Sequence, residues 1–297
     1  MELTTERAGF RKVFREALLE GKVVGFVPTM GALHDGHRSL LTRAREEADL
    51  VAMSIFVNPL QFGPAEDLAS YPRDLDADLA SAGKEGVDVV FAPGADEMYP
   101  GGRPEVTVDP GPVGTVLEGA SRPGHLRGVC TVVAKLLGLV GPCRAYFGEK
   151  DAQQLAVVRR MVTDLDLPVE VVGCPTIREP DGLALSSRNA YLSPEERRAA
   201  LCLYGALVGA STLVRKGERD GRRLREAMAG RIDAERVAEL DYAAVVDEAT
   251  FQEVDEVAGP ARALVAARVG PTRLIDNTLL PVEGFALSPP SSVTHNP

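Results

Sequence analysis

The segment that decides the fold spans residues 23–37 and reads VVGFVPTMGALHDGH. It opens with an unbroken apolar run that stops at a proline, which is typical of a strand covered on both faces. Gly31 and Gly36 permit close backbone approach, and a helix is predicted over residues 36–48 with Asp35 as its cap. Free N–H groups at the start of a helix bind anions, so this turn is a candidate phosphate site.

The same alternation of strand and helix patterns continues outward from this segment. It predicts an α/β fold with a Rossmann-like, doubly wound parallel sheet. Further strands are predicted over 50–57, 87–91, 144–147 and 169–172, and further helices over 4–19, 74–83, 129–140 and 151–165.

The texture of the sequence changes after Pro175. Ser193, a following proline and Glu196 form a strong helix start, and the pattern predicts one helix to about residue 215. A second helix over 221–236 and strands over 241–246, 262–267 and 273–275 complete a smaller α+β domain. The predicted division is therefore 1–176 for the α/β domain, 177–285 for a C-terminal α+β domain and 286–297 for a disordered tail.

Composition excludes several classes of protein. The 297 residues carry 33 basic and 43 acidic side chains, and a net charge of −10 disfavours a nucleic-acid-binding surface. We see no apolar run near the ~20 residues that a membrane span needs and no secretion signal, so a cytoplasmic protein is expected. The four cysteines are scattered, which favours buried, reduced thiols over disulfides or structural zinc.

His34 and His37 lie three residues apart at the predicted turn. Two imidazoles beside a helix start can each donate a hydrogen bond to a phosphate oxygen. The alternative is an ordinary capped helix with two surface histidines. A zinc site would need a further ligand, and no H-E-x-x-H is present, so no metal-binding residue is predicted.

Three further segments follow the H-x-G-H segment of residues 34–37 along the chain: FVNPLQFG at 56–63, FGEKDAQQ at 147–154 and DGLALSSRN at 181–189. Together with the H-x-G-H segment they resemble the pantoate–β-alanine ligase (pantothenate synthetase) family of the H-x-G-H nucleotidyltransferase superfamily. The resemblance extends to about residue 283. Two positions depart from the family pattern, with Ala152 in place of a tyrosine and Leu185 in place of a methionine.

The resemblance implies that residues 1–176 bind nucleotide and pantoate and that 177–285 form a lid, and it implies the roles of individual residues. His37 is the proton or hydrogen-bond donor, assisted by His34. The substrate-binding residues are Gln61, for pantoate and β-alanine, Gln154, for pantoate, and also Asn58 and His125. The implied ATP-binding residues are Met30, Gly31, Ala32, Leu33, His34, Asp35, Gly36, His37, Gly148, Glu149, Lys150, Asp151, Ile177, Leu185, Ser186, Ser187 and Arg188.

The resemblance also implies the reaction. ATP activates pantoate as an adenylate with release of pyrophosphate, and β-alanine then displaces AMP. Mg²⁺ on the nucleotide and a homodimer are expected. A nucleotidylyltransferase or a non-catalytic nucleotide-binding protein are the alternatives, and the acidic charge disfavours a tRNA-charging role.

Overall fold

The computed structural model describes residues 1–63, 68–69 and 71–282. The predicted tail, residues 286–297, lies outside these described residues. The described residues divide into two compact units: those within 1–149 together with 153–174, and residues 150–152 together with 175–282. The sequence pattern placed 150–152 with the first domain. They join the second unit, where the side-chain amide of Asn277 donates to the carbonyl oxygen of Lys150 at 2.8 Å.

A parallel sheet forms the centre of the first unit. Its spatial order is β1-β4-β3-β2-β5-β6, so the chain winds outward in both directions from β2. In the described residues of this unit the strands are β1 (Glu2–Thr4), β2 (Val24–Thr29), β3 (Leu50–Ile55), β4 (Val89–Phe91), β5 (Cys143–Gly148) and β6 (Val169–Cys174). The predicted fold class is confirmed.

Helices cover both faces of this sheet. The described helices of the first unit are α1 (Arg7–Leu19), α2 (Asp35–Glu47), α3 (Leu75–Lys84), α4 (Ala95–Met98), α5 (Glu118–Ser121), α6 (His125–Val140) and α7 (Ala152–Asp164), whose first residue alone is grouped with the second unit. One core lies between the sheet and α1, α6 and α7, and includes Phe10 stacked on Phe91 at 4.4 Å. The other lies under α2 and α3 and includes Leu41 and Met53. Burial of these apolar side chains from both faces is the main force that holds the sheet.

The strand order places a topological switch point beside β2. Its pairing with β5 is confined to Gly25 and Phe26, whereas its pairing with β3 runs from Val24 to Thr29. The carboxyl ends of β2 and β5 are therefore not bonded to each other. Ligands of open α/β sheets bind in the crevice at such a point.

The second unit is a small α+β module, as predicted. Its described elements are α8 (Pro194–Ala199), α9 (Leu201–Arg215), α10 (Gly221–Asp233), β7 (Ala238–Asp247), β8 (Ala261–Val269) and β9 (Thr272–Leu279), with the three strands antiparallel. The capping box of Ser193 and Glu196 is present. The single helix predicted over 193–215 is wrong, because the chain leaves the helix at Ala200 and begins a second one.

The four cysteines are free and buried, as predicted. Burial raises the pKa of Cys130 and Cys143 to about 12 and that of Cys174 and Cys202 to about 11. Since the thiolate is the reactive form, we expect the native protein to react very slowly with Ellman's reagent at pH 8 and all four thiols to react after denaturation. Rapid reaction of two native thiols would contradict this burial.

Candidate active site

The turn after β2 is held in a strained conformation by one carboxylate. Gly31 has φ 85° and Ala32 has φ 52°, a region that residues with a Cβ rarely adopt. The buried side chain of Asp78, on α3, accepts hydrogen bonds from the backbone N–H of Ala32 at 2.9 Å and of Leu33 at 2.8 Å. A Cβ on Gly31 would lie 2.7 Å from the same carboxylate, so only glycine fits there.

His34, rather than the predicted Asp35, caps α2. Its Nδ1 accepts from the N–H of Gly36 at 3.1 Å, in the manner of a side-chain oxygen at a helix start. Asp35 is instead the first residue of the helix and pairs with Arg38 at 2.8 Å. The cap prediction for Asp35 was wrong because an imidazole nitrogen supplies the acceptor one residue earlier.

The two histidine rings lie together with their centroids 4.2 Å apart. Nδ1 of His37 accepts from the backbone N–H of His34 at 3.4 Å, as Nδ1 of His34 accepts from Gly36. A ring nitrogen that accepts carries no proton, so in each neutral ring the proton sits on Nε2. The backbone therefore prepares two adjacent Nε2–H donors at the switch point.

Asn58 and Gln61 follow β3. Asn58 caps the short 3₁₀ helix Pro59–Gln61, and Gln61 is its last residue. Asn58 is 1% exposed and its carboxamide donates to the side-chain oxygen of Gln61 at 3.0 Å. The other end of the Gln61 carboxamide lies 2.9 Å from the sulfur of Met30, in the turn after β2. These contacts bring the loops that follow two neighbouring strands together.

His125 supports the backbone of Gln61. Its Nδ1 lies 2.8 Å from the Gln61 carbonyl oxygen, and its Nε2 lies 2.9 Å from the guanidinium of Arg122. Because a carbonyl only accepts and a guanidinium only donates, the Nδ1–H tautomer satisfies both neighbours. Gly128, one turn further along α6, packs so closely that a Cβ there would lie 2.3 Å from the Leu60 carbonyl oxygen.

The two glutamines at the start of α7 differ in their contacts. Gln153 is buried, accepts from the N–H of Glu118 at 3.0 Å and donates to the carbonyls of Val113 and Val116. It therefore holds the segment before α5 in place. Gln154, the predicted substrate-binding residue, is partly exposed. Nothing in the local sequence separates these roles, because the two residues are identical and adjacent.

A cavity of about 690 Å³ lies against the loop that carries Gln61. Its wall includes Leu60, His125 and Gly128 from the cluster just described, and three arginines that the sequence analysis did not single out: Arg73, Arg103 and Arg127. Arg127 is paired with Asp109 at 2.7 Å. Basic side chains in the wall of a cavity favour the approach of small anions.

The second unit holds a separate group of predicted ATP-binding residues. The N–H of Leu185 donates to the Ile177 carbonyl at 3.0 Å, and Ser186 caps the short 3₁₀ helix Ser187–Tyr191. Two side chains of β9 stabilise this region, because Asp276 forms a two-fold ion pair with Arg178 at 2.6 and 2.9 Å and Asn277 holds Lys150.

The predicted site residues thus fall into two sets. The first unit brings together the turn 30–37, Asn58, Gln61 and His125, and places Gly148 at the end of β5 with Glu149 immediately after it. The second unit contains Lys150, Asp151, Ile177 and residues 185–188, of which Leu185 is hydrogen-bonded to Ile177. Sequence reasoning missed Asp78 and Tyr99, whose hydroxyl donates to Asn58 at 2.8 Å.

The described part of the chain shows neither a metal-ligand cluster nor a membrane-spanning helix. Within residues 1–63, 68–69 and 71–282, no group of three or more His, Cys, Asp or Glu side chains is arranged to hold a metal ion. The same residues include no helix whose length and apolar character would allow it to span a bilayer.

Comparison with known proteins identifies the family. A model of pantoate–β-alanine ligase matches residues 2–279. The pantothenate synthetase of Roseiflexus castenholzii is 58% identical over 257 residues, which cover 86% of this chain and 92% of that relative. The chain belongs to the pantoate–β-alanine ligase family.

Solved structures of pantoate–β-alanine ligases share the fold. The pantothenate synthetase of Thermus thermophilus is 50% identical, has a TM-score of 0.88 and covers 94% of this chain and 99% of its own. A pantoate–β-alanine ligase from Francisella tularensis, crystallised with β,γ-ATP and β-alanine, is 36% identical with a TM-score of 0.77. The match covers 94% of this chain and 97% of the Francisella chain. The family predicted from the four sequence segments is confirmed.

Proposed function

We propose that the protein joins (R)-pantoate to β-alanine at the expense of ATP, with pantoyl adenylate as intermediate and AMP and pyrophosphate as products. The observation that carries the proposal is the histidine pair at the switch point, whose two Nε2–H donors are prepared by the backbone in a chain of this family. The Francisella relative bound to a form of ATP and to β-alanine supports the same substrates.

In the first step, a carboxylate oxygen of pantoate attacks the α-phosphorus of ATP. The bond from that phosphorus to the bridging oxygen of pyrophosphate breaks, and pyrophosphate leaves with the electron pair. Negative charge develops on the α-phosphate oxygens, where His37, assisted by His34, donates hydrogen bonds. Lys150 and Arg188 neutralise the phosphate chain.

In the second step, the amine of β-alanine attacks the carbonyl carbon of the adenylate. The bond from this carbon to the AMP oxygen breaks, AMP leaves with the electron pair, and the attacking nitrogen loses a proton to the solvent as the amide forms. No side chain becomes covalently bound, so the protein acts by orientation and by charge stabilisation.

The binding residues divide between nucleotide and substrates. Gln61 and Gln154 bind pantoate, Gln61 also meets β-alanine, and Asn58 and His125 complete the substrate site. ATP is bound by residues 30–37, 148–151, Ile177 and 185–188.

Mg²⁺ completes the proposal through the nucleotide. Among the described residues no cluster of three or more protein ligands is present, and Mg²⁺ commonly binds nucleotide phosphates with only one or two protein groups, so the phosphates would be its main ligands. Its contribution is to neutralise phosphate charge. We extend the proposal to a cytoplasmic location and to a homodimer. Light scattering of the purified protein tests the homodimer.

The decisive experiment mixes the protein with ATP, Mg²⁺, pantoate and β-alanine and omits each in turn. We expect the complete mixture to yield an amide and free AMP, and the mixture without β-alanine to yield pyrophosphate only up to one equivalent of enzyme. A stable adenylylated product would indicate a nucleotidylyltransferase, and absence of ATP cleavage would indicate a binding protein.

Replacement of Gln61 by alanine tests the substrate site. We expect the KM for pantoate to rise about 10-fold or more, because a buried polar contact to the substrate is lost, while the KM for ATP stays near that of the unaltered protein. Steady-state kinetics with each substrate varied in turn give both values. An unchanged KM for pantoate would remove Gln61 from the pantoate site.

A further inference from the structure

A buried chain of polar side chains leads from α4 to Gln61. The hydroxyl of Tyr99, the residue that follows α4, donates to Oδ1 of Asn58 at 2.8 Å. Nδ2 of Asn58 donates to Oε1 of Gln61 at 3.0 Å. Tyr99 is 5% exposed, Asn58 1% and Gln61 7%, so water has little access to these bonds. The hydrogen-bonding groups along the chain therefore depend on partners within the protein.

Backbone groups fix which end of the Asn58 carboxamide accepts and which end donates in this chain of hydrogen bonds. The N–H of Leu60 lies 3.2 Å from one end of the carboxamide, and the carbonyl oxygen of Gly128 lies 3.1 Å from the other. The first group only donates and the second only accepts, so the oxygen of Asn58 faces Leu60 and its NH₂ faces Gly128. Burial raises the pKa of the Tyr99 hydroxyl, which keeps it protonated and able to donate to that oxygen.

The orientation of Asn58 in turn fixes the orientation of the Gln61 carboxamide. Both hydrogens of the Asn58 NH₂ group are used, one by Gly128 and one by Gln61, so the end of Gln61 that faces Asn58 must be its oxygen. The other end is then the NH₂ group. In the protein it lies near the thioether of Met30, which is only a weak acceptor, so its donors remain available to a stronger one.

We propose that Tyr99 is a positioning residue that acts through Asn58 to present the NH₂ group of Gln61, a hydrogen-bond donor, to an oxygen atom of pantoate. The inference rests on the proposed function, in which Gln61 meets pantoate. It gives Asn58 a role behind Gln61 instead of a direct substrate contact, because all its hydrogen-bonding groups are used by the protein. Pantoate is an anion with carboxylate and hydroxyl oxygens, and a fixed donor recognises such an oxygen without adding charge.

Replacement of Tyr99 by phenylalanine tests the first part. The ring remains and only the hydroxyl is lost, so we expect the KM for pantoate to rise about 3- to 10-fold, as for one buried neutral hydrogen bond, with the KM for ATP unchanged. The matched control is Tyr146→Phe, which removes a buried hydroxyl that donates to Glu47 on α2. A merely structural effect would lower the thermal midpoint in both variants and leave the KM for pantoate alone, which would overturn the role of Tyr99.

Replacement of Gln61 by glutamate tests the polarity. Glutamate keeps an oxygen toward Asn58 but puts a second acceptor where the donor stood, and it adds a negative charge against an anionic substrate. We expect the KM for pantoate to rise by a factor about 10 times larger for Gln61→Glu than for Gln61→Ala, because an unpaired or repelled polar group costs more than a missing one. A glutamate variant equal to or better than the alanine variant would overturn the inference.

A double variant shows whether Tyr99 acts through Gln61. In the Gln61→Ala background, Tyr99→Phe should cause no further rise in the KM for pantoate, whereas independent residues would give multiplied effects. Multiplied effects would overturn the proposal that Tyr99 acts through Asn58 and Gln61. The proposed function fails by a different result, since an unchanged KM for pantoate in Gln61→Ala itself would remove the substrate contact on which Tyr99 and Asn58 act.

Discussion

We expect replacement of His37 by alanine to lower kcat by about 10²-fold or more, which is the loss that follows when a donor to developing transition-state charge is removed. The structure gives this ring two functions that the alanine variant removes together. Nδ1 accepts a hydrogen bond from the backbone N–H of His34. Nε2 carries the proton that, in the proposed function, is donated in a hydrogen bond to an α-phosphate oxygen. Single-turnover formation of the adenylate measures the relevant step directly.

Two further variants separate these functions. In His37→Asn, the side-chain oxygen occupies the place of Nδ1 and can still accept from His34, but the distal donor is gone. In His37→Gln, the terminal NH₂ group reaches the place of Nε2. We expect the asparagine variant to be as slow as alanine and the glutamine variant to recover part of kcat. Wild-type turnover in a folded alanine or asparagine variant would contradict a donor role for His37.

Much of the fold could be predicted because its signals are local. The apolar run before the turn, the glycines and the capping box of Ser193 each report on neighbouring residues, and the elements follow where these patterns occur. β1 was missed because Glu2–Thr4 is only three residues long and two of them are exposed, so no periodicity marks it. The break at Ala200 was missed because alanine favours helix and offers no stop signal.

The support of the candidate site could not be predicted in the same way. Tyr99 is 41 residues from Asn58, and nothing in its own sequence context distinguishes it from a core tyrosine. Asp78 follows Asp74 and Asp76 in an acidic stretch that is typical of a solvated helix start. Its role depends on the packing of α3 against the turn after β2, 45 residues earlier in the chain. Such contacts appear only when tertiary structure has brought distant residues together.

The second large effect is expected at Asp78. In Asp78→Asn, the oxygen can still accept from one of the two N–H groups of Ala32 and Leu33, but the new NH₂ group faces the other donor. A buried N–H without an acceptor, together with the loss of a charge-assisted bond, costs about 2–3 kcal/mol of the free energy of unfolding. Denaturant titration measures this value.

Activity should fall further than stability alone explains. The carboxylate holds Ala32 at φ 52°, and release of that turn displaces the start of α2, where both histidines lie. A displacement near 1 Å at reacting groups costs about 10²-fold in rate, so we expect kcat to fall about 10- to 100-fold in protein that is still folded. The matched control is Asp76→Asn, which changes an exposed carboxylate in the first turn of the same helix and should leave both stability and kcat nearly unchanged. If Asp78→Asn kept full kcat at a temperature where it is folded, the turn would hold its shape without the carboxylate, and strain at Ala32 would have to be balanced by the packing of α2 alone.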